Sequence, residues 1–274
     1  MTVGLLCAAV GLSRQGYYKG HKARRRREID EGAVVELVNR ERRLQPRLGA
    51  RKVLRLVKPD LEEMGIGIGR DGFFALLRRR GLLLARARRC GARTTDSRHG
   101  FRTYENLLSG MELTGAHQAW VSDLTYVRTD EGFLYVSLIT DRWSRKIVGY
   151  AGQETLEAEG SIAALVMALG QLPEGARPIH HSDRGIQYCC WDYVKRLESR
   201  GISISMTECN HCYENAVAER VNGILKQEYG LGETFRTRAQ ALEALSQAVW
   251  LYNTRRPHVS LGYRIPSEVH EMAA

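Results

Sequence analysis

The chain has 274 residues, with 41 Lys/Arg against 31 Asp/Glu and a formal net charge of +10. That length allows one sizeable core and one or two small helical units, and no apolar run is long enough to span a membrane as a helix. The opening VGLLCAAVGL lacks a basic leader and a cleavage-site pattern, so no secretory signal is expected.

The charge is unevenly spread. Residues 1–102 hold 25 Lys/Arg against 10 Asp/Glu, a balance of +15, whereas 103–274 hold 16 against 21, a balance of −5. The front of the chain is therefore suited to a polyanion, whose phosphates would release counterions on binding. Arg outnumbers Lys in the clusters Arg24–Arg27, Arg78–Arg80 and Arg86–Arg89, which favours bidentate phosphate contacts over simple charge. The six cysteines, Cys7, Cys90, Cys189, Cys190, Cys209 and Cys212, form no regular framework. A reducing, cytoplasmic location near the nucleoid is expected, with ordinary buried or loop thiols and no zinc site.

In chain order, residues 1–45 read as basic N-terminal helices. Two short helices break at Gly11, with Ser13 placed to cap the second, and a basic amphipathic helix follows from Ala23 to Arg43 on the period of Ile29, Val34, Leu37 and Val38. LCAAVGLSRQGYYK has the outline of a helix-turn-helix, an outline also common in proteins that bind no DNA. Residues 46–89 form a second helical unit, expected to bind DNA, with Phe73, Phe74, Leu76 and Leu77 as its core face and Arg78, Arg79 and Arg80 at the end of its last helix. GIGIG at 65–69 lacks the Lys-Ser/Thr of a phosphate-binding loop and reads as a turn. Residues 90–116 are a polar linker, either a plain connector or a path for DNA.

A catalytic core is expected over 117–230. DLTYVRTDEGFLYVSLITDRWSRKIVGY reads as three β segments separated by Asp130-Glu131-Gly132 and Arg142-Trp143-Ser144. Three acidic residues stand in stretches suited to hold a carboxylate. Asp123 lies on the strand WVSDLTYV, Asp183 ends the apolar run of IHHSDRGIQY, and Glu219 lies in NAVAERVNGILKQEY, a helix with Ala216, Val217, Arg220 and Ile224 at helical spacings. Two strand ends and a helix can converge on one point, where hard oxygen ligands suit Mg²⁺ or Mn²⁺ and phosphodiester chemistry. Residues 231–274 add a helix with an apolar stripe of Ala241, Leu242, Leu245, Val249 and Trp250, then a Gly/Pro-punctuated tail.

HHSDRGIQY, ENAVAERVNGILKQEY and YNTRRPHVSLGYRIPSEV together resemble the catalytic half of bacterial insertion-sequence transposases of the second-reading-frame type, with a DDE, retroviral-integrase-like core. The resemblance implies an α/β fold, a ribonuclease-H-like mixed sheet flanked by helices, behind a small basic all-α N-terminal region. It implies a catalytic and metal-binding triad of Asp123, Asp183 and Glu219 that uses Mg²⁺ or Mn²⁺, as two ions, to cut element ends and transfer the 3′-hydroxyl into target DNA. It also implies a homodimer or larger assembly on DNA and an upstream helix-turn-helix frame product as partner, so that this chain is the catalytic part. The alternatives are a ribonuclease-H-like nuclease without strand transfer and a catalytically silent DNA-binding protein.

Around the triad, Asn222 and Lys226 lie three and seven residues after Glu219, on its helical face, where they are candidates for DNA contact. Lys226 is placed to touch a phosphate near the bond to be cut and would also serve to steady Glu219, the alternative being a solvated surface lysine. Asn215 fits a helix cap, and His180 and His181 face opposite ways on one strand and suit positioning roles. Arg255, Arg256 and His258 are candidates either for phosphate contact or for a structural cap. The loop ECNHCYEN departs from the family pattern, with Glu208 where a basic residue is common, and leaves the roles of 207–214 open.

Overall fold

The computed structural model describes residues 2–85, 102–208 and 212–272. The chain divides into two compact units, Met1–Ala85 and Arg86–Ala274. Arg86–Arg89 and the greater part of the expected linker lie outside the described residues, as do Cys209, Asn210 and His211. All of the formal net charge belongs to the first unit: residues 1–85 hold 19 Lys/Arg and 9 Asp/Glu, whereas 86–274 hold 22 of each.

In the first unit, α1 (Val3–Ala9) ends where Gly11 adopts a left-handed φ of 67°, and Ser13 Oγ accepts the Gly16 N–H at 3.0 Å to start α2 (Arg14–Leu44). The sequence suggests a further break near Ala23, but α2 runs on unbroken for 31 residues. A single Gly20 costs about 1 kcal/mol in a helix, too little to stop propagation once a turn exists. Then come α3 (Ala50–Glu63) and α4 (Arg70–Arg79). Val34, Leu37 and Val38, then Val53, Val57 and Leu61, then Phe73, Leu76 and Leu77 repeat at three- and four-residue spacings and close on one apolar core. The segments divided at residue 45 in the sequence thus share a core. Ile29, expected in the stripe, is 61% exposed, so the buried face of α2 starts only at Val34.

The second unit is built on one sheet. Strands β1 (Ala119–Thr129), β2 (Gly132–Asp141) and β3 (Ile147–Gln153) form the expected antiparallel meander, and β4 (Ile179–Ser182) and β5 (Ser203–Met206) add in parallel to give the order β3-β2-β1-β4-β5. Helix α5 (Ala158–Gly170) connects β3 to β4, and α6 (Ile186–Cys189) with α7 (Trp191–Ser199) connects β4 to β5. After a 3-10 turn (Cys212–Asn215) come α8 (Ala216–Glu228), the short β6 (Thr234–Phe235), α9 (Arg238–Thr254) and α10 (Pro266–Glu271).

Alternation along the strands feeds two cores. Trp120, Ile139 and Val148 pack with α5 and α7 on one face, and Val127, Leu134, Val136 and Leu138 pack with α8 and α9 on the other. This helix-sheet-helix arrangement is the mixed, two-sided α/β sheet expected from the sequence. The stripe on α9 is shifted from the expected one: Ala241, Leu245, Ala248, Val249 and Tyr252 are buried, while Leu242 and Trp250 are 42% and 61% exposed. On α8 the buried positions are Ala218, Val221, Asn222, Ile224 and Leu225, so Ala216 and Arg220 face outward.

Helix α5 lies close against β3 because Gly149 has no side chain; a Cβ there would collide with Ala164 O. Gly149→Ala must push the helix off the strand and is expected to cost about 1–3 kcal/mol, read as a lower urea midpoint at unchanged slope.

Burial also keeps three histidines neutral, His180 at about 3 and His181 and His270 at about 4, all down from 6.5. As pH falls through 6.5 the unfolded chain takes up protons that the folded chain refuses until near 4, so stability drops across that window. Asp123, which burial raises from 3.8 to about 7, works the other way because the folded chain protonates it first; with three buried histidines against one carboxyl, the melting temperature should still fall from pH 7 to pH 5, and His270→Gln should make that fall shallower.

Candidate active site

The site begins with a gap in strand pairing. On one edge β1 pairs continuously with β2, and Asp123 lies opposite Leu138. On the other edge β4 pairs with Ala119–Val121 and β6 with Arg128 and Thr129, which leaves residues 122–127 without a strand partner among the described residues. Asp123 lies in that gap. The β1–β4 register matches Ala119 with Ile179, Trp120 with His180 and Val121 with His181. Carried two steps on, it sets Asp123 abreast of Asp183, the first residue past the end of β4, at the usual strand spacing of about 4.8 Å.

Helix α8 fills the gap and brings the third carboxylate. Asn215, expected to cap this helix, makes no side-chain cap. Instead its Nδ2 donates to Ser122 O at 2.9 Å and so takes up a carbonyl of the unpaired edge. Two turns along, Asn222 Nδ2 donates to Asp123 Oδ2 at 2.7 Å, and Leu124 N–H donates to Asp123 Oδ1 at 2.9 Å. Asn222 is only 6% exposed, so its amide is occupied with the carboxylate and not with an outside partner. Glu219, between the two asparagines, is on the exposed side of α8. Asp183 Oδ1 accepts the Gly185 N–H at 3.0 Å, and a Cβ on Gly185 would approach that oxygen to the same distance.

The electrostatics follow from this crowding. Burial pushes the Asp123 carboxyl from 3.8 up to about 7; Asp183 adds to the rise, the hydrogen bonds from Asn222 and Leu124 oppose it, and Glu219 contributes a smaller push. The three acids therefore share one electrostatic environment. Among the described residues, however, no three His, Cys, Asp or Glu side chains close into a set that could hold a metal ion.

The neighbouring residues divide between structural and open roles. His180 bonds Ser122 Oγ at 2.7 Å and Tyr193 OH at 2.8 Å, and His181 Nδ1 bonds Ser205 Oγ at 2.8 Å. Both are buried, and burial holds His181 at about 4. They stay neutral and position strands. Gln187 reaches back to Leu156 O, and Tyr188 is in the core. Arg256 is 2% exposed and grips Glu228 with two bonds of 2.8 and 3.0 Å, so it is a structural clamp and not a phosphate ligand. Lys226 is half-buried with its Nζ 4.5 Å from the centre of the Tyr126 ring. In the first unit Arg78, Arg79 and Arg80 are exposed, and Arg79 and Arg80 are paired to Glu31 at 2.6 and 3.7 Å.

Two family models, each described as an integrase core domain, match residues 114–212 and 200–266. The 31 kDa protein of insertion element IS600 from Shigella sonnei is 36% identical over 98% of this chain and 100% of its own length. The chain belongs to the insertion-sequence transposases with an integrase core. Transposase InsF of insertion sequence IS3A from Escherichia coli K12 is 32% identical to it over 86% of this chain and 82% of its own length. Among solved structures, the HTLV-2 integrase catalytic core domain in complex with magnesium is similar over 57% of this chain and 97% of that one, at 17% identity and a TM-score of 0.46. DNA transposition, with integration into DNA, is the function of this transposase chain.

Sequence reasoning missed the joint task of the asparagines. Asn215 and Asn222 are seven residues apart, a spacing that puts both on one helix face around Glu219, and this was the available signal. Asn222→Ala should lower DNA cleavage by roughly 10–100-fold, the usual effect of removing a partner that orients a site carboxylate. An unchanged cleavage rate in a variant that folds normally by circular dichroism would contradict the assignment.

Proposed function

We propose that this transposase cuts the ends of its element and joins the freed 3′-hydroxyls to target DNA, with Asp123, Asp183 and Glu219 as the catalytic carboxylates. The observation that carries the reading is the meeting of Asp123, on the open edge of β1 and abreast of Asp183, with Glu219 of α8; both acids add to the rise to about 7 that burial imposes on the Asp123 carboxyl. So many acidic oxygens together call for positive charge, and Asn222 Oδ1 is a buried acceptor with no hydrogen-bond partner beside them.

The donor set suits a hard divalent cation, and the three carboxylates are the residues that would hold Mg²⁺ or Mn²⁺, as two ions. Bound there, the metal supplies charge that activates an attacking oxygen and stabilises a leaving one in an in-line displacement. The rest is done by the chain. Asn222 fixes the direction of the Asp123 carboxylate, Asn215 fixes α8 against β1, and Gly185 N–H holds Asp183. Lys226, one face with Glu219, offers an ammonium to a phosphate beside the bond being cut.

The basic first unit, with Arg78 to Arg80 and the run Arg24–Arg27, is suited to hold DNA, in a salt-dependent way and without covalent attachment. Pairing of two DNA ends requires at least two copies of the chain, and recognition of the element's ends is the task left for an upstream frame product. No helix among the described residues is long and apolar enough to cross a membrane, in keeping with action on DNA in the cytoplasm.

An end-labelled duplex carrying a candidate element end, incubated with target DNA and Mg²⁺, should give both cut and joined products. Asp183→Asn and Glu219→Gln should each reduce them by about a thousandfold or more. Cutting without joining would reduce the protein to a nuclease, and full activity in Asp183→Asn would remove the triad from the mechanism.

A further inference from the structure

The outer end of the β1–β2 hairpin carries three aromatic rings in contact. Tyr126 and Tyr135 are cross-strand partners, and Phe133, opposite Arg128, stands beside both. Its ring centre is 4.9 Å from that of Tyr126 and 6.2 Å from that of Tyr135, edge to face in each case. These positions alternate onto the sheet face that α5 covers farther in, where Ser137 meets Ser161. At the tip the cover ends: Phe133 is 45% exposed, and Tyr126 and Tyr135 are half-buried.

Cross-strand aromatic pairs stabilise hairpins, which accounts for the contacts between rings. It does not account for the cations set around them. Lys226 comes through the unpaired edge of β1 to place its Nζ 4.5 Å from the Tyr126 ring centre, and Arg128 is exposed on the same strand. Burial lowers the Lys226 pKa, Asp123 works against that shift and Arg128 adds to it. Along β1, Tyr126 is three residues from Asp123, about 10 Å at strand rise, and the odd spacing turns the two side chains to opposite faces, so that Lys226 at the open edge links them.

We propose that Tyr126, Phe133 and Tyr135, with Arg128 and Lys226, form a stacking platform for an unpaired base of the DNA strand that enters the active site. The inference rests on the transposase reading above. A base offers its flat face to an exposed ring while its phosphates lie against the two cations, a combination that accepts any base sequence. A paired duplex keeps its bases inside the stack and cannot use such a surface. The platform therefore favours DNA ends opened by a few nucleotides over blunt ones, and it holds the opened strand at the hairpin tip, around the unpaired edge of β1 from Asp123.

The test uses the full chain without divalent cation, so that no cutting occurs, and two duplexes of the same sequence, one blunt and one with a short unpaired tail containing 2-aminopurine. The wild type should bind the tailed duplex about tenfold more tightly and quench the tail's fluorescence. Phe133→Ala should lose both the preference and the quenching with binding to the blunt duplex unchanged within twofold, and Phe133→Trp should keep them. Retention of the preference by Phe133→Ala, equal weakening toward both duplexes, or a changed oligomeric mass that marks the patch as a protein contact would each overturn the platform. None of these results touches the transposase reading, which stands or falls on cleavage and joining with Mg²⁺ and on their loss in Asp183→Asn. A wild-type chain that binds neither duplex overturns both.

Discussion

Strand β1 meets two different partners along one edge and none in between, and the rest of the catalytic unit is arranged around that interruption. Unpaired backbone in a sheet interior must find other partners, because buried N–H and C=O groups left without them are costly. Here side chains supply two, Asn215 at the Ser122 carbonyl and the Asp123 carboxylate at the Leu124 N–H. Asn215 closes the Ser122 carbonyl, and Asn222 closes the Asp123 carboxylate, so the helix that brings Glu219 is registered to the strand by the need to satisfy polar groups. An uninterrupted β4 would have covered Asp123 with a neighbouring strand and left no room for a substrate.

That interruption also concentrates charge. Two aspartates leave adjacent parallel strands side by side, and a glutamate follows on the helix between the asparagines. Proteins seldom crowd acids in this way without positive charge to balance them, since burial and like-charge repulsion both disfavour the ionised form. The balance over the two units is complementary: the first carries all of the net charge and the second is neutral as a whole. The excess positive charge and the crowded carboxylates thus lie in separate units of the chain.

Much of this was legible in the sequence, for identifiable reasons. The meander was plain because alternation in β1 and β2 is uninterrupted and Asp130-Glu131 is a turn, and the three acids were found because each ends or punctuates an apolar pattern. The face of α8 was misread because Ala218 and Asn222, small and polar, add nothing to apolar periodicity although both are buried. The bond from Asn215 to Ser122 spans 93 positions, and that from Arg256 to Glu228 spans 28. Partners so distant leave no local pattern, so Asn215 was read as a cap and Arg256 was left open between cap and phosphate ligand. Continuity of α2 escaped notice because a glycine and an arginine run suggested punctuation where the backbone needed none.

The clamp between Arg256 and Glu228 bears on how the far end of α8 is held. Glu228 is the last residue of α8, and its bidentate partner lies beyond α9. Without Arg256, α8 is held by the asparagines at its start and by Val221, Ile224 and Leu225 against the sheet, but the carboxylate at its far end lacks its guanidinium. The clamp thus ties the tail to the far end of the helix that carries Glu219, and a chain cut short before Arg256 would leave that end unfastened.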